Sequence, residues 1–272
     1  MKRAMDTILK QGRLVFAVAI VAFGVQHLIC ARFGQAHVPV IPWVPGNPVL
    51  AYITGLALIA TGVSITANFK PRLAATLLGV FFLVCAILLQ APMVVSHPLD
   101  IGIRTLAFET LATCASALML AATLPEEGFG AGAWQGVING LIKSGRYLFA
   151  ISSVIFGIDH FFVLGLIVSL VPTWLPGSGM FWAVLTGAGF IAAGLSIATN
   201  WMGRLGAAWL GIMFLLWFLI LHAPRVVTFP RSHNPNEWSS AFIALGMCGG
   251  SWICAWALSA KAPVKFSAAQ SD

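Results

Sequence analysis

The residues of this chain that could do chemistry are few, and most lie inside apolar runs. His27 follows Gln26, and His160 follows Asp159; Gln90 and His222 each precede an Ala-Pro pair, with Arg225 three residues beyond His222. Asp159, His160, His222 and Arg225 offer a carboxylate, two imidazoles and a guanidinium, enough for proton transfer or for binding an anionic or carbonyl group. Gln26, His27 and Gln90 offer one imidazole and two amides. Either set also reads as a polar clamp between helices. Glu109 is a lone carboxylate in an apolar segment, where an isolated charge is costly. It is a candidate proton-relay group, or else is hydrogen-bonded to a neighbouring helix. The apolar segments contain no His-x-x-x-His, Glu-x-x-His or Cys-x-x-Cys spacing, so no metal site, covalent cofactor or thiol-redox centre is expected. Cys30, Cys85, Cys114, Cys248 and Cys254 read as buried small hydrophobes.

The elements that carry these residues follow from composition. Of 272 residues, 59% are apolar and 8% charged, with a mean hydropathy of +0.93. Soluble domains carry roughly 25% charged residues, which excludes a water-soluble globule. Apolar runs long enough to cross ~30 Å of hydrocarbon fall at 13–33, 48–68, 72–95, 101–123, 146–169, 180–200, 204–227 and 239–260. They must be helices, because the bilayer core offers the backbone no water partner, and the alternating polarity of barrel strands is absent. The expected fold is an all-α polytopic membrane protein. Its net charge of +7 is spread thinly, without the basic-aromatic clusters of a nucleic-acid binder; membrane lipids are the expected surroundings.

Orientation follows from the same charges. With the N-terminus inside, Lys2, Arg3, Lys10, Arg13, Lys70, Arg72, Lys143, Arg146, Arg204, Lys261 and Lys265 are cytoplasmic, and only Arg32, Arg104, Arg225 and Arg231 lie outside. The positive-inside rule therefore predicts cytoplasmic termini. The first apolar run is of full span length with no small-residue cleavage site after it, so it reads as a first helix rather than a signal.

An internal repeat organises the spans. At offsets of 131–134 residues, Gly12-Arg13 matches Gly145-Arg146, Gly24 and His27 match Gly157 and His160, and Thr54-Gly55 matches Thr186-Gly187. Gly62, Asn68, Arg72 and Ala91-Pro92 likewise match Gly194, Asn200, Arg204 and Ala223-Pro224. The expected units are 1–123 and 146–260, a cytoplasmic linker at 124–145 and a tail at 261–272. Four spans per unit make the repeats parallel, unlike inverted transporter repeats, and predict two four-helix bundles side by side. Gly55/Gly62 and Gly187/Gly194 mark close helix contacts. At ~1.5 Å per residue, His27 and His160 lie about 21 Å beyond Arg13 and Arg146, and Gln90 and His222 about 27 Å beyond Arg72 and Arg204. All four gather in the outer third of the bilayer, whereas Glu109 lies about 14 Å below Asp100. The second unit, with its extra charges, is the expected active one. His27 and His160 sit in different units, so haem ligation between them is not expected.

Between the first two spans of each unit lies a proline-tryptophan turn, Pro39 to Pro45 around Trp43 and Pro172 to Pro176 around Trp174. Such loops suit interfacial anchoring or a lid over the histidine below. The late His of the first span, the Trp-x-Pro loop, Thr-Gly in the second span with Gly seven residues on, and Ala-Pro closing the third together resemble the DoxX-like family of four-helix bacterial membrane proteins, here in tandem. That resemblance implies an inner-membrane protein associated with redox complexes such as thiosulfate:quinone oxidoreductase. It further implies a quinone held by His160 and His222, proton exchange at Asp159, charge stabilisation by Arg225, and electrons from a partner protein or periplasmic reductant. A lipid or small-amphiphile carrier and a non-catalytic scaffold are the alternatives.

Overall fold

A computed structural model describes residues 2–30, 48–125, 133–228 and 236–259. Among them there is no strand, and eight helices are long and apolar enough to cross a membrane. The chain is an all-α polytopic protein. The helices are α1 (Lys2–Cys30), α2 (Pro48–Thr66), α3 (Pro71–Ser96), α4 (Ile101–Thr123), α5 (Ala133–Phe162), α6 (Gly179–Thr199), α7 (Gly203–Thr228) and α8 (Asn236–Ser259). A short helix, Leu164–Leu170, joins α5 to α6. Helix α5 begins inside the segment 124–145 that reads as linker, and its first turns form a helical approach to the span.

The repeat is visible in local geometry. A Cβ added at Gly24 would meet the Gly55 carbonyl at 2.6 Å, and one at Gly157 would meet the Gly187 carbonyl at the same distance. Helix pairs α1–α2 and α5–α6 thus approach backbone to backbone, which only glycine permits. The turns after α2 and α6 both use left-handed residues, Asn68 (φ 59°) and Asn200 (φ 60°), a conformation asparagine tolerates better than most residues. Arg13 then donates to the carbonyl of Ile65 and, at 3.0 Å, to Asn68 Oδ1. Arg146 similarly donates to the carbonyl of Ala198 at 3.4 Å. Each repeated arginine satisfies carbonyls that the end of a helix leaves open.

Two features differ from the sequence reading. The Ala-Pro pairs lie inside the third span, which ends within a residue of the expected 95 and 227 but holds a wider turn that the sequence does not announce. A π-turn, Ala86–Gln90 in α3 and Phe218–His222 in α7, precedes each proline, and the helix runs on to Ser96 and Thr228. Proline lacks an N–H and crowds the carbonyl four residues back, and the wider turn absorbs that mismatch. Second, the bundles share their fourth helices: α1 packs along α8 and α5 along α4, while α3 keeps α4 and α7 keeps α8. Helices α4 and α8 also meet each other, at Ser116 and Gly250. Small residues explain the exchange, since Gly12 sits on the backbone of Gly249 and Gly145 on that of Ala115.

Candidate functional site

His160 lies near the C-terminal end of α5, 8% exposed. Its Nδ1 is 2.8 Å from the carbonyl of Phe156. A carbonyl only accepts, so Nδ1 carries the hydrogen and Nε2 of the neutral ring presents a lone pair. That Nε2 is buried and has no hydrogen-bond partner among the described residues. The imidazole stacks on Trp217 (5.5 Å, 19°) and leans on Phe190 at 5.1 Å. Phe156 and Phe214 meet Phe190 edge to face. The result is an imidazole set in an aromatic box between α5, α6 and α7.

Trp217 ends the regular part of α7, and the π-turn carries the helix on to His222. The Nδ1 of His222 is also buried without a partner among the described residues, and its surroundings include the charges of Arg225 and Glu237. The π-turn is what the sequence hides: inserted turns of this kind recur at functional sites, and this one sets the register of His222 against α8.

Asp159 and Arg225 serve elsewhere. Asp159, 3% exposed, receives Nε of Arg104 at 2.8 Å and also its Nη2. The pair joins α5 to α4, across the two halves. Arg104 is further held by the Pro98 carbonyl at 3.2 Å and lies over the Phe162 ring. The second carboxylate oxygen, Oδ2, is buried without a partner among the described residues. Arg225 forms a two-pronged pair with Glu237 (2.9 and 2.7 Å), tying α7 to α8. Asp159 and His160 are neighbours in sequence, yet one faces α4 and the other faces α6 and α7.

The first half repeats this layout with neutral groups. Gln26 donates to Ser239 Oγ of α8 at 2.7 Å, and Gln90 donates to Thr110 Oγ1 of α4 at 2.6 Å. His27, 4% exposed, has Nδ1 at 2.8 Å from the Phe23 carbonyl and a buried Nε2 without a partner among the described residues. The aromatic box is only half kept: Phe156 and Phe214 repeat as Phe23 and Phe82, but the two rings that touch the histidine, Phe190 and Trp217, are Leu58 and Cys85. Glu109, beside Thr110 on α4, does have a partner and does not stand as an isolated carboxylate.

Trp174 is 67% exposed, as an interfacial anchor would be. The end of its loop is pinned by Trp182, whose Nε1 donates to the Pro176 carbonyl at 2.8 Å. Trp43 lies outside the described residues. Cys85, Cys114, Cys248 and Cys254 are buried thiols. Among the described residues no three His, Cys, Asp or Glu side chains converge as metal ligands would. Arg104, Glu237, Phe190 and Trp217 are the site's members that sequence reasoning did not place. Complementary charge at the start of α4 and the end of α5 was the available signal for Arg104. No family model, curated protein or solved structure matches this chain.

Proposed function

We propose that this protein is a quinone-interacting subunit of an inner-membrane redox system, with both termini cytoplasmic and its ligand site in the second half. The observation that carries the reading is the buried, partnerless Nε2 of His160 inside an aromatic box. A polar atom left open in an apolar interior costs about 1–3 kcal/mol, a cost a hydrogen-bonding ligand would remove. The rings pack on the imidazole itself and make its surroundings apolar, which suits a lipid-soluble partner. With hydrogen on Nδ1, neutral His160 accepts rather than donates, so it fits the hydroxyl of a quinol better than the carbonyl of a quinone. A quinone bound there would supply a two-electron, two-proton carrier. His160 can hold the hydroxyl and can take up or return its proton at Nε2, while Arg104 holds Asp159 as a fixed charge one residue away. The redox assignment and the need for a partner protein draw support from the likeness of the repeat motifs to DoxX-like proteins.

The test is mass spectrometry of organic extracts from protein purified in mild detergent. Quinone or quinol is expected in wild type and in His27→Ala, and is expected to be lost in a folded His160→Ala/His222→Ala variant. Bulk phospholipid alone in all three would overturn the reading. A scaffold is the second reading, favoured by the Arg104–Asp159 and Arg225–Glu237 pairs between helices; under it the double variant changes only thermal stability.

A further inference from the structure

At the opposite end of the helices from His160, a cavity of about 290 Å³ opens between α1, α4 and α8. It is lined by Lys10 and Arg13 from α1, by Leu120, Thr123 and Leu124 at the end of α4, and by Ile253 and Trp256 of α8. Its composition is divided: two cations on one side, aliphatic walls on the other. Lys10 Nζ sits 5.0 Å from the Trp256 ring. Arg13 is fixed by its bonds to Ile65 and Asn68, so its charge is presented in one place.

We propose that this cavity binds the phosphate of an anionic phospholipid, with Lys10 as the principal cation, Arg13 as a fixed second charge, and the half-buried Leu124 and Trp256 receiving the glycerol and upper acyl chain. Basic pockets between spanning helices on the face richest in lysine and arginine have the chemistry that selects such headgroups. An aromatic ring beside the cation places it at headgroup depth, where tryptophan favours the interface. A free phosphate anion would use the two cations but has no use for the aliphatic wall. Placement adds a reason. The cavity sits on the seam where α1 crosses to the other half's α8, so a lipid there would bridge the exchanged helices. The second half keeps the cations, Lys143 and Arg146, but Ala122 replaces Trp256 at the repeat position.

Native mass spectrometry of the full chain, titrated with phosphatidylglycerol or with phosphatidylcholine, tests this. One tightly held phosphatidylglycerol is expected, with about fivefold weaker binding in Lys10→Gln and a smaller loss in Trp256→Leu. Lys143→Gln should bind as wild type, which separates a built site from general surface charge. Equal retention of phosphatidylcholine, or equal weakening by Lys143→Gln, would overturn the proposal. Displacement of the lipid by millimolar inorganic phosphate would also overturn it, in favour of a free-anion site.

Discussion

The two halves share a backbone plan and divide its polar positions. Both have the glycine crossing, the left-handed asparagine turn, the π-turn before proline, and a histidine whose Nδ1 is held by its own helix. In the first half the neighbouring polar groups are amides that donate to hydroxyls on the fourth helices, Gln26 to Ser239 and Gln90 to Thr110. In the second half ionisable groups stand at the same positions. Asp159 takes a cation where Gln26 takes a hydroxyl. By repeat position Ala244 stands where Gln90's partner Thr110 does, since the fourth helices align at an offset of 134, as Ala115 and Gly249 show. Each half keeps a histidine nitrogen without a partner among the described residues, and the halves differ in the charge of the groups beside it. Aromatic content follows the same division, with Leu58 and Cys85 in one half against Phe190 and Trp217 in the other.

The largest expected effect concerns what the halves share. Because α1 needs α8 and α5 needs α4, neither half should fold as a monomer. Residues 1–125 or 133–272 expressed alone are expected to give no monodisperse monomer in detergent, whereas the two pieces expressed together should co-purify. A stable monomeric 1–125 with full helix content would show that a single half closes on itself.

Next come the contacts that cross between halves. Arg104→Leu leaves the Asp159 carboxylate buried without its cation, a loss of about 3–5 kcal/mol. Ser239→Ala removes the corresponding neutral bond to Gln26 and should cost about 0.6–1.7 kcal/mol. Thermal unfolding in detergent reads both, and equal destabilisation would erase the distinction between a charged and a neutral clamp. Gly24→Ala and Gly157→Ala offer a control in which the halves should agree. Each forces a methyl onto a facing backbone, overpacking that costs about 1–3 kcal/mol. A wide gap between the two would mean that the halves differ in packing as well as in polar chemistry.

The spans and the repeat were legible in the sequence, because hydropathy and repeat offset are properties of the chain itself. Partner choice was not. Asp159 and His160 are adjacent in sequence, and only the roughly 100° step between helix neighbours sends one to α4 and the other to α6 and α7. Arg104 could be counted as an outer charge, but its pairing depends on α5 lying against the other half's fourth helix, a preference set by glycines at several separated positions. The π-turn was hidden for a similar reason. Proline announces a break in helix hydrogen bonding, and the backbone has more than one way to absorb it.

The smallest and sharpest test makes the halves alike at one position. Thr110 donates to the Leu106 carbonyl at 3.0 Å while accepting from Gln90, so its oxygen acts as a fixed acceptor. Ala244→Thr should place the same acceptor opposite His222, its own hydroxyl spent on the carbonyl of Ser240. His222 would then donate from Nδ1, closing the nitrogen that now lacks a partner, for a gain of about 0.6 kcal/mol. Thr110→Ala in the first half should lose about the same amount. If the open His222 serves a ligand, Ala244→Thr should raise the unfolding temperature slightly and lower quinone retention together, while Thr110→Ala leaves retention unchanged. A variant that gains stability and keeps its quinone would remove His222 from the site and leave His160 and its aromatic box to hold the ligand alone.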